Sequence, residues 1–164
     1  MQRAPWIFVI LVGLSEAFWD AGHMLVGEVA KQYMAPRDVV ILNRLLAHWE
    51  DEFPHTGEIT TATIWADLIK CDHPVHYCPS PLFPSIKVLD KFHYSGLRMR
   101  LQPSNVTTVE DVFDAAEGNA HELLDDVLRT FATTQSIWSS NFMLRFLLHV
   151  FGDIHQPLHA TSSV

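Results

Sequence analysis

Apolar residues recur every three or four positions along almost the whole chain beyond residue 20, the period of a helix with one buried face. No stretch offers several alternating strands joined by hairpin turns, and no internal repeat is present, so the pattern predicts an all-α fold. A first helix is expected over 22–34, with Met24, Leu25, Val29 and Tyr33 among its buried positions. Pro36 suits the opening turn of a second helix to about residue 50, carrying Val39, Val40, Leu42, Leu45, Leu46 and Trp49. A shorter third helix is expected over 60–70. Pro74, Pro79, Pro81 and Pro84 forbid helix across 71–85, and 87–101 reads as extended or briefly helical. Thr107 and Glu110 have the spacing of a capping box, which opens a long helix to about residue 132. The last helix runs over 136–153, and Pro157 forbids its continuation.

One apolar run is of a different kind. Residues 6–14 follow Arg3 and precede Ser15, Glu16 and Ala17, the positive, apolar, small-residue order of a secretory signal. Cleavage after Ala17 makes 1–17 a signal peptide and 18–164 the mature domain. The run is about half the ~20 residues that a spanning helix needs, so no membrane anchor is expected and the destination is secretion or the lumen of the secretory and endolysosomal pathway. Cys71 and Cys78 then fall in an oxidising compartment, where a disulfide-closed loop is the first reading and a zinc site with His73 and His76 the second. Asn105-Val106-Thr107 is a glycosylation acceptor in a polar stretch.

Composition narrows the function. At 164 residues and 48% hydrophobic the chain suits one domain with a sizeable core. Eleven Lys and Arg against nineteen Asp and Glu give a net charge of −8, which excludes a coat that grips duplexes by neutralising phosphates. A polyanionic substrate therefore needs bound cations. The acidic set Glu110, Asp111, Asp114, Glu117, Glu122, Asp125 and Asp126 reads as the solvated face of the long helix. Only 18% of residues are charged, yet ten are His and five are Trp, a tilt toward metal ligands.

The chemistry concentrates near the end of the chain. His149 and Asp153 lie four apart on one helix face, where an imidazole nitrogen and a carboxylate oxygen converge on one cation. Pro157 breaks that helix and turns His159 back toward the same volume. The pair sits in the apolar run 142–148, where unpartnered polar groups are costly. Trp19-Asp20-Ala21-Gly22-His23, Trp65-Ala66-Asp67 and Phe92-His93-Tyr94 are three further donors of nitrogen and oxygen, without thiolates, suited to zinc.

These segments, in this order and ending in His-x-x-x-Asp-Ile-His-Gln-Pro-Leu-His, closely resemble the zinc-dependent class I nucleases: fungal single-strand nucleases, plant bifunctional nucleases and trypanosomatid 3′-nucleotidase/nucleases. The resemblance implies a helical phospholipase C/nuclease-type domain with three Zn2+ ions. Asp67, His93 and His149 would hold one ion, bridged by Asp153 to a second held with His23 and the amine and carbonyl of Trp19. His159 would serve the third. Lys70 stands where the family often carries Arg and would stabilise phosphate charge, giving Asp67, Lys70 and Asp153 as the catalytic set. His155 has no ligand role in the resemblance, and surface histidine is the default for His48, His55, His73, His76 and His121.

The implied activity is hydrolysis of RNA and single-stranded DNA by metal-activated water, with 3′-nucleotidase activity beside it. Single strands suit such a site because their bases can leave the stack and pack on aromatic rings; Trp65, Phe92 and Tyr94 are available, although Trp65 reads first as packing against the ligand helices. Three departures follow. The resemblance covers the N-terminal part of the family's domain, so the later His and Asp that complete the His159 site have no counterpart here. Gly96 stands where many relatives carry Asp near the base. Chelation by Trp19 through a free amine requires cleavage one residue after Ala17-Phe18. Two other readings stay open: a zinc-dependent phospholipase C, and a catalytically inactive metal-binding fragment holding fewer than three zinc ions.

Overall fold

The computed structural model describes residues 20–71, 78, 87–99 and 117–163. Residues 1–17, where a signal is expected, Trp19, His73, His76, Asn105, Glu110, Asp111 and Asp114 lie outside the described residues.

The fold is all-α. Helix α1 (Asp20–Tyr33) is followed by α2 (Pro36–Leu46), which runs into a 3-10 turn at Ala47–Trp49. Two single-turn helices, α3 (Ile59–Ala62) and α4 (Trp65–Leu68), replace the one helix expected over 60–70. A 3-10 segment (Lys87–His93) and a short strand β1 (Leu97–Met99) follow, then α5 (Ala120–Thr133), α6 (Ile137–Asp153), the single-turn α7 (Pro157–Ala160) and β2 (Thr161–Ser163). The two strands pair in parallel, Leu97 opposite Thr161, and so tie the chain after His93 to the chain after His159.

Helix α6 is the axis. Ser136 caps it by accepting the Ser139 amide on its hydroxyl, satisfying one of the otherwise orphaned first-turn donors. One side packs Phe146 and Val150 against Trp65, Ala66 and Ile69 around α4 and against Ala120, Leu123 and Val127 of α5. The other packs Leu144 against Leu46, Ile59 and Ala62. Between them lies Arg145, fully buried. Its guanidinium donates to Asn141 Oδ1 (2.8 Å), to the Thr56 carbonyl and hydroxyl (2.9 and 2.7 Å) and to the Leu46 carbonyl (3.0 Å). A charge with so many neutral acceptors is tolerated in the interior, and it pins the 50–58 loop to the helix.

Helix α1 departs from expectation. Leu25, Val29 and Tyr33 are exposed at 65, 45 and 88%, and the buried positions are His23 and Gly27. A Cβ on Gly27 would stand 2.7 Å from Thr63 Cγ2 and 3.3 Å from the Thr60 Cα, so the glycine sets how closely α1 and α3 approach. Polar contacts hold the same face: the Thr60 hydroxyl donates to Glu28 Oε2 (2.8 Å), and Lys31 Nζ pairs with Glu28 (2.7 Å). Val40 of α2 is also exposed.

Helix α5 begins at Ala120, so the helix expected from 107 does not run unbroken to 132. Glu117 bridges Gly96, and Gly118 has φ +91°, where a Cβ would strike the Tyr94 carbonyl. Glu122, Asp125 and Asp126 are on the exposed side of α5. Cys71 and Cys78 form a disulfide, which rules out the thiolate zinc site with His73 and His76. No helix among the described residues is long and apolar enough to cross a membrane.

Candidate metal centre

The C-terminal end of α6 carries His149 and Asp153, both buried, and four other segments bring side chains onto them. Asp153 divides its carboxylate. Oδ2 lies 3.0 Å from His149 Nε2 and 3.1 Å from His93 Nδ1, whereas Oδ1 lies 3.3 Å from His23 Nε2 and 3.6 Å from His159 Nδ1. Asp67 Oδ1 approaches from α4, 3.7 Å from both His93 Nδ1 and His149 Nε2. Two donor sets result, His23 with His149 and Asp153, and Asp67 with His93 and His149; within each, the ligand atoms lie within 4.8 Å of one another.

Local structure explains each placement. Gly152 lies one residue before Asp153, and a Cβ there would come 2.9 Å from His23 Nδ1. The missing side chain admits the His23 ring, which stacks on His149 with centroids 4.0 Å apart. The single turn of α4 sends Trp65 and Asp67 to different sides, because residues two apart do not share a helix face. Trp65 meets Phe146 edge to face, leaving Asp67 turned to the imidazoles. Gln156 Oε1 and its carbonyl both accept the His159 amide, closing the turn that Pro157 begins. The Ser95 amide donates to the His159 carbonyl (2.9 Å), fastening that turn beside His93.

Hydrogen bonds select tautomers. His149 Nδ1 lies 2.6 Å from the Thr63 carbonyl, which can only accept, so this nitrogen keeps a proton, and Nε2 is the nitrogen that can give one up and turn a lone pair to the cage. His159 Nδ1 lies 2.8 Å from the His93 carbonyl, which protonates that nitrogen and frees Nε2 for a ligand. His93 Nδ1 and His149 Nε2 are 2.9 Å apart. His93 Nε2 is buried with no hydrogen-bond partner among the described residues. His93 Nδ1, His149 Nε2 and Asp153 Oδ2 thus lie within hydrogen-bond distance of one another.

Electrostatics point the same way. Burial works against charge on Asp153, but hydrogen bonds from His149, His23 and His93 hold its carboxyl far below the usual carboxylate range. Burial also opposes charge on Asp67, and His149, Lys70 and His93 together still hold it below the ordinary value. His93 is lowered, chiefly by burial, and His149 is raised because Asp153 and Asp67 outweigh the effect of burial. Two carboxylates kept ionised, Asp153 buried and Asp67 partly exposed, among clustered imidazoles and with no thiolate, are a donor set of the borderline type that suits zinc, and the residues present fit such an ion.

Six of the sequence-derived positions therefore meet in one cluster: His23, Asp67, His93, His149, Asp153 and His159. Lys70 lies at its edge, and its Nζ donates to Asp67 Oδ1 at 2.7 Å. Trp19 lies outside the described residues, so its amine and carbonyl have no place in this geometry. His155 turns back onto the Phe151 carbonyl, away from the cage (2.6 Å). His48 and His55 are exposed, and His121 is exposed beside Ser95, with Nδ1 2.9 Å from Oγ. Two contributors had no sequence signal. The Thr63 carbonyl belongs to the backbone, and Gly152 matters only because α1 crosses there.

Comparison with known proteins agrees with this arrangement. Endonuclease 3 of Arabidopsis thaliana is 28% identical over 168 aligned residues, covering 94% of this chain and 49% of that protein. The chain thus spans about half the length of this curated relative. No solved structure matches it. The profile of the S1/P1 nucleases matches residues 18–163, a span that takes in every side chain of the cage, and the chain belongs to the S1/P1 nuclease family.

Proposed function

We propose that this chain is a zinc-dependent phosphodiesterase that hydrolyses RNA and single-stranded DNA, removes 3′-phosphate from nucleotides, and is exported after loss of its N-terminal signal. The observation that carries the reading is the divided Asp153 carboxylate, one oxygen toward His93 and His149 and the other toward His23 and His159. A carboxylate so divided could serve two cations at once. Asp67, His93 and His149 would hold one ion, His23 and Asp153 the next, and His159 would offer one nitrogen to a third. The Cys71–Cys78 disulfide favours an oxidising compartment, as does the acceptor site at Asn105.

Bound in this cage, zinc lowers the pKa of a water toward neutrality and neutralises charge gathering on a phosphoryl group. The chain's own residues do the rest. Thr63 and His93 carbonyls hold the His149 and His159 protons on Nδ1, so the opposite nitrogens are the ones open to coordination. Asp153 and Asp67 supply the negative charge that retains divalent ions in an acidic protein. Lys70, partly exposed at the rim, is the mobile cation: released from Asp67 Oδ1, its ammonium reaches a phosphate oxygen. No side-chain nucleophile is required.

The test is hydrolysis by the full chain supplied with zinc, read as acid-soluble nucleotide from single-stranded DNA and RNA and as phosphocholine from phosphatidylcholine vesicles. Chelator-sensitive nucleotide release, absent in Asp153→Asn, is the expected result. Phosphocholine release assigns the cage to the phospholipase C reading. Binding of fewer than three zinc ions with no hydrolysis assigns it to the inactive metal-binding reading.

A further inference from the structure

On the far side of α4 from the cage lies a cavity of about 360 Å3 that the metal chemistry does not use. Its walls are aromatic: Trp49, Phe53, Trp65, Trp138 and Phe142, with one carboxylate, Glu52, among them. Trp138 and Phe142 lie nearly parallel (9°, centroids 5.4 Å apart), whereas Phe53 and Trp65 stand perpendicular (90°, 5.4 Å). Trp138 is 61% exposed although it is the largest side chain of its turn. Such a box is of the size that takes a small planar ligand.

An aromatic box with a carboxylate is also the usual cage for an alkylated ammonium ion. The buried Arg145 decides against that occupant. Its guanidinium carbon lies 5.5 Å from the centroids of both Trp49 and Trp65, so a cation already engages these rings. A second cation on the same π-systems would meet the repulsion of the first across a low-dielectric interior. A neutral, electron-rich planar ring meets no such repulsion and stacks on the exposed indole of Trp138.

We infer that this cavity binds an unstacked nucleobase, guanine in preference to the others. Guanine carries two adjacent N–H groups on its Watson–Crick edge, the ring N1–H and the exocyclic amine, and one carboxylate accepts both in parallel. Glu52 is the carboxylate. Because Trp65 and Asp67 lie two apart on α4 and face different sides, the base held here belongs to a nucleotide away from the bond being cut. The site is therefore a remote grip on the strand. The choice of ligand rests on the nucleic-acid reading of the cage.

Nucleosides test it, since they lack the phosphate that the cage would hold. Guanosine, adenosine and cytidine are titrated calorimetrically into the full chain, with sedimentation run in parallel. Guanosine is expected to bind most tightly. Trp138→Ala should weaken it by about tenfold, the loss of one base-stacking contact. Glu52→Gln should reduce guanosine binding to the level of adenosine. Both side chains are exposed, so folding tolerates the changes. Absence of nucleoside binding overturns the inference, as does binding that Trp138→Ala leaves unchanged. Self-association that Trp138→Ala abolishes, without nucleoside binding, also overturns it and assigns the face to a second copy. Guanosine binding by a chain that fails to hydrolyse nucleic acid would sink the proposed activity and leave this site standing.

Discussion

Asp153 is the residue on which the cage turns, because its two oxygens serve different imidazole pairs. Asp153→Asn keeps the shape and removes the charge. Outer contacts of a metal site are worth roughly 10–100-fold in affinity, so losing a shared ligand is expected to cost at least ~100-fold, read by zinc titration against a chelating competitor. Protonation gives a second expectation at this scale. In the metal-free protein His93 is lowered from 6.5, so its contribution to stability grows as pH rises to that value. His149 is raised from 6.5, so its contribution is full below 6.5 and is lost as pH rises through its folded pKa. Asp67 and Asp153 are depressed, and their contributions are lost only in acid. Thermal melts with chelator present should therefore peak near pH 6.5, the common reference of the two imidazoles, and fall on the alkaline side. Zinc removes that alkaline fall, because it takes the deprotonated His149. A chelated protein that gains stability steadily to pH 9 contradicts the assignment.

At the scale of elements, two glycines set the spacing of helices. Gly152→Ala places a methyl against His23 and should displace that ring from Asp153, reducing zinc stoichiometry while the melting temperature changes little. Gly27→Ala meets a backbone carbon of α3 as well as a methyl, and overpacking of this kind costs about 1–3 kcal/mol, measurable by urea denaturation. Arg145 joins α6 to the 50–58 loop. Arg145→Met would strand the acceptors on Thr56, Leu46 and Asn141, at about 1–3 kcal/mol for each group left unsatisfied. The expected sum is several kcal/mol, the largest loss of any single change considered.

Across the whole molecule, the cage draws on α1, α4, the 3-10 segment, α6 and α7, so residues from both ends of the described chain must fold before any ion is held. Metal binding is consequently folding free energy, and zinc should raise the melting temperature with the logarithm of its free concentration. The Cys71–Cys78 disulfide closes a short loop just after α4. Chain-entropy arguments give roughly 2–3 kcal/mol for a loop of this length. Reduction, or Cys71→Ser with Cys78→Ser, should lower stability by about that amount and loosen Asp67 and Lys70, a combined loss visible in melts with and without zinc.

Periodicity alone determined the helical class, the course of α2 and α6, and the end of α6 ahead of Pro157, because those are local consequences of spacing, caps and proline. Residue chemistry alone also named the imidazoles and carboxylates now found together. It misjudged α1, whose exposed Leu25, Val29 and Tyr33 have the spacing of a buried stripe, since periodicity reports a face and not what covers it. The break at Gly118 escaped it as well, being set by a bridge to Gly96 far away in the chain. Only the tertiary structure decided which Asp153 oxygen meets which ring and that a backbone carbonyl selects the His149 tautomer. Those facts depend on distances between segments up to 130 residues apart, from His23 to Asp153, and no local pattern encodes them.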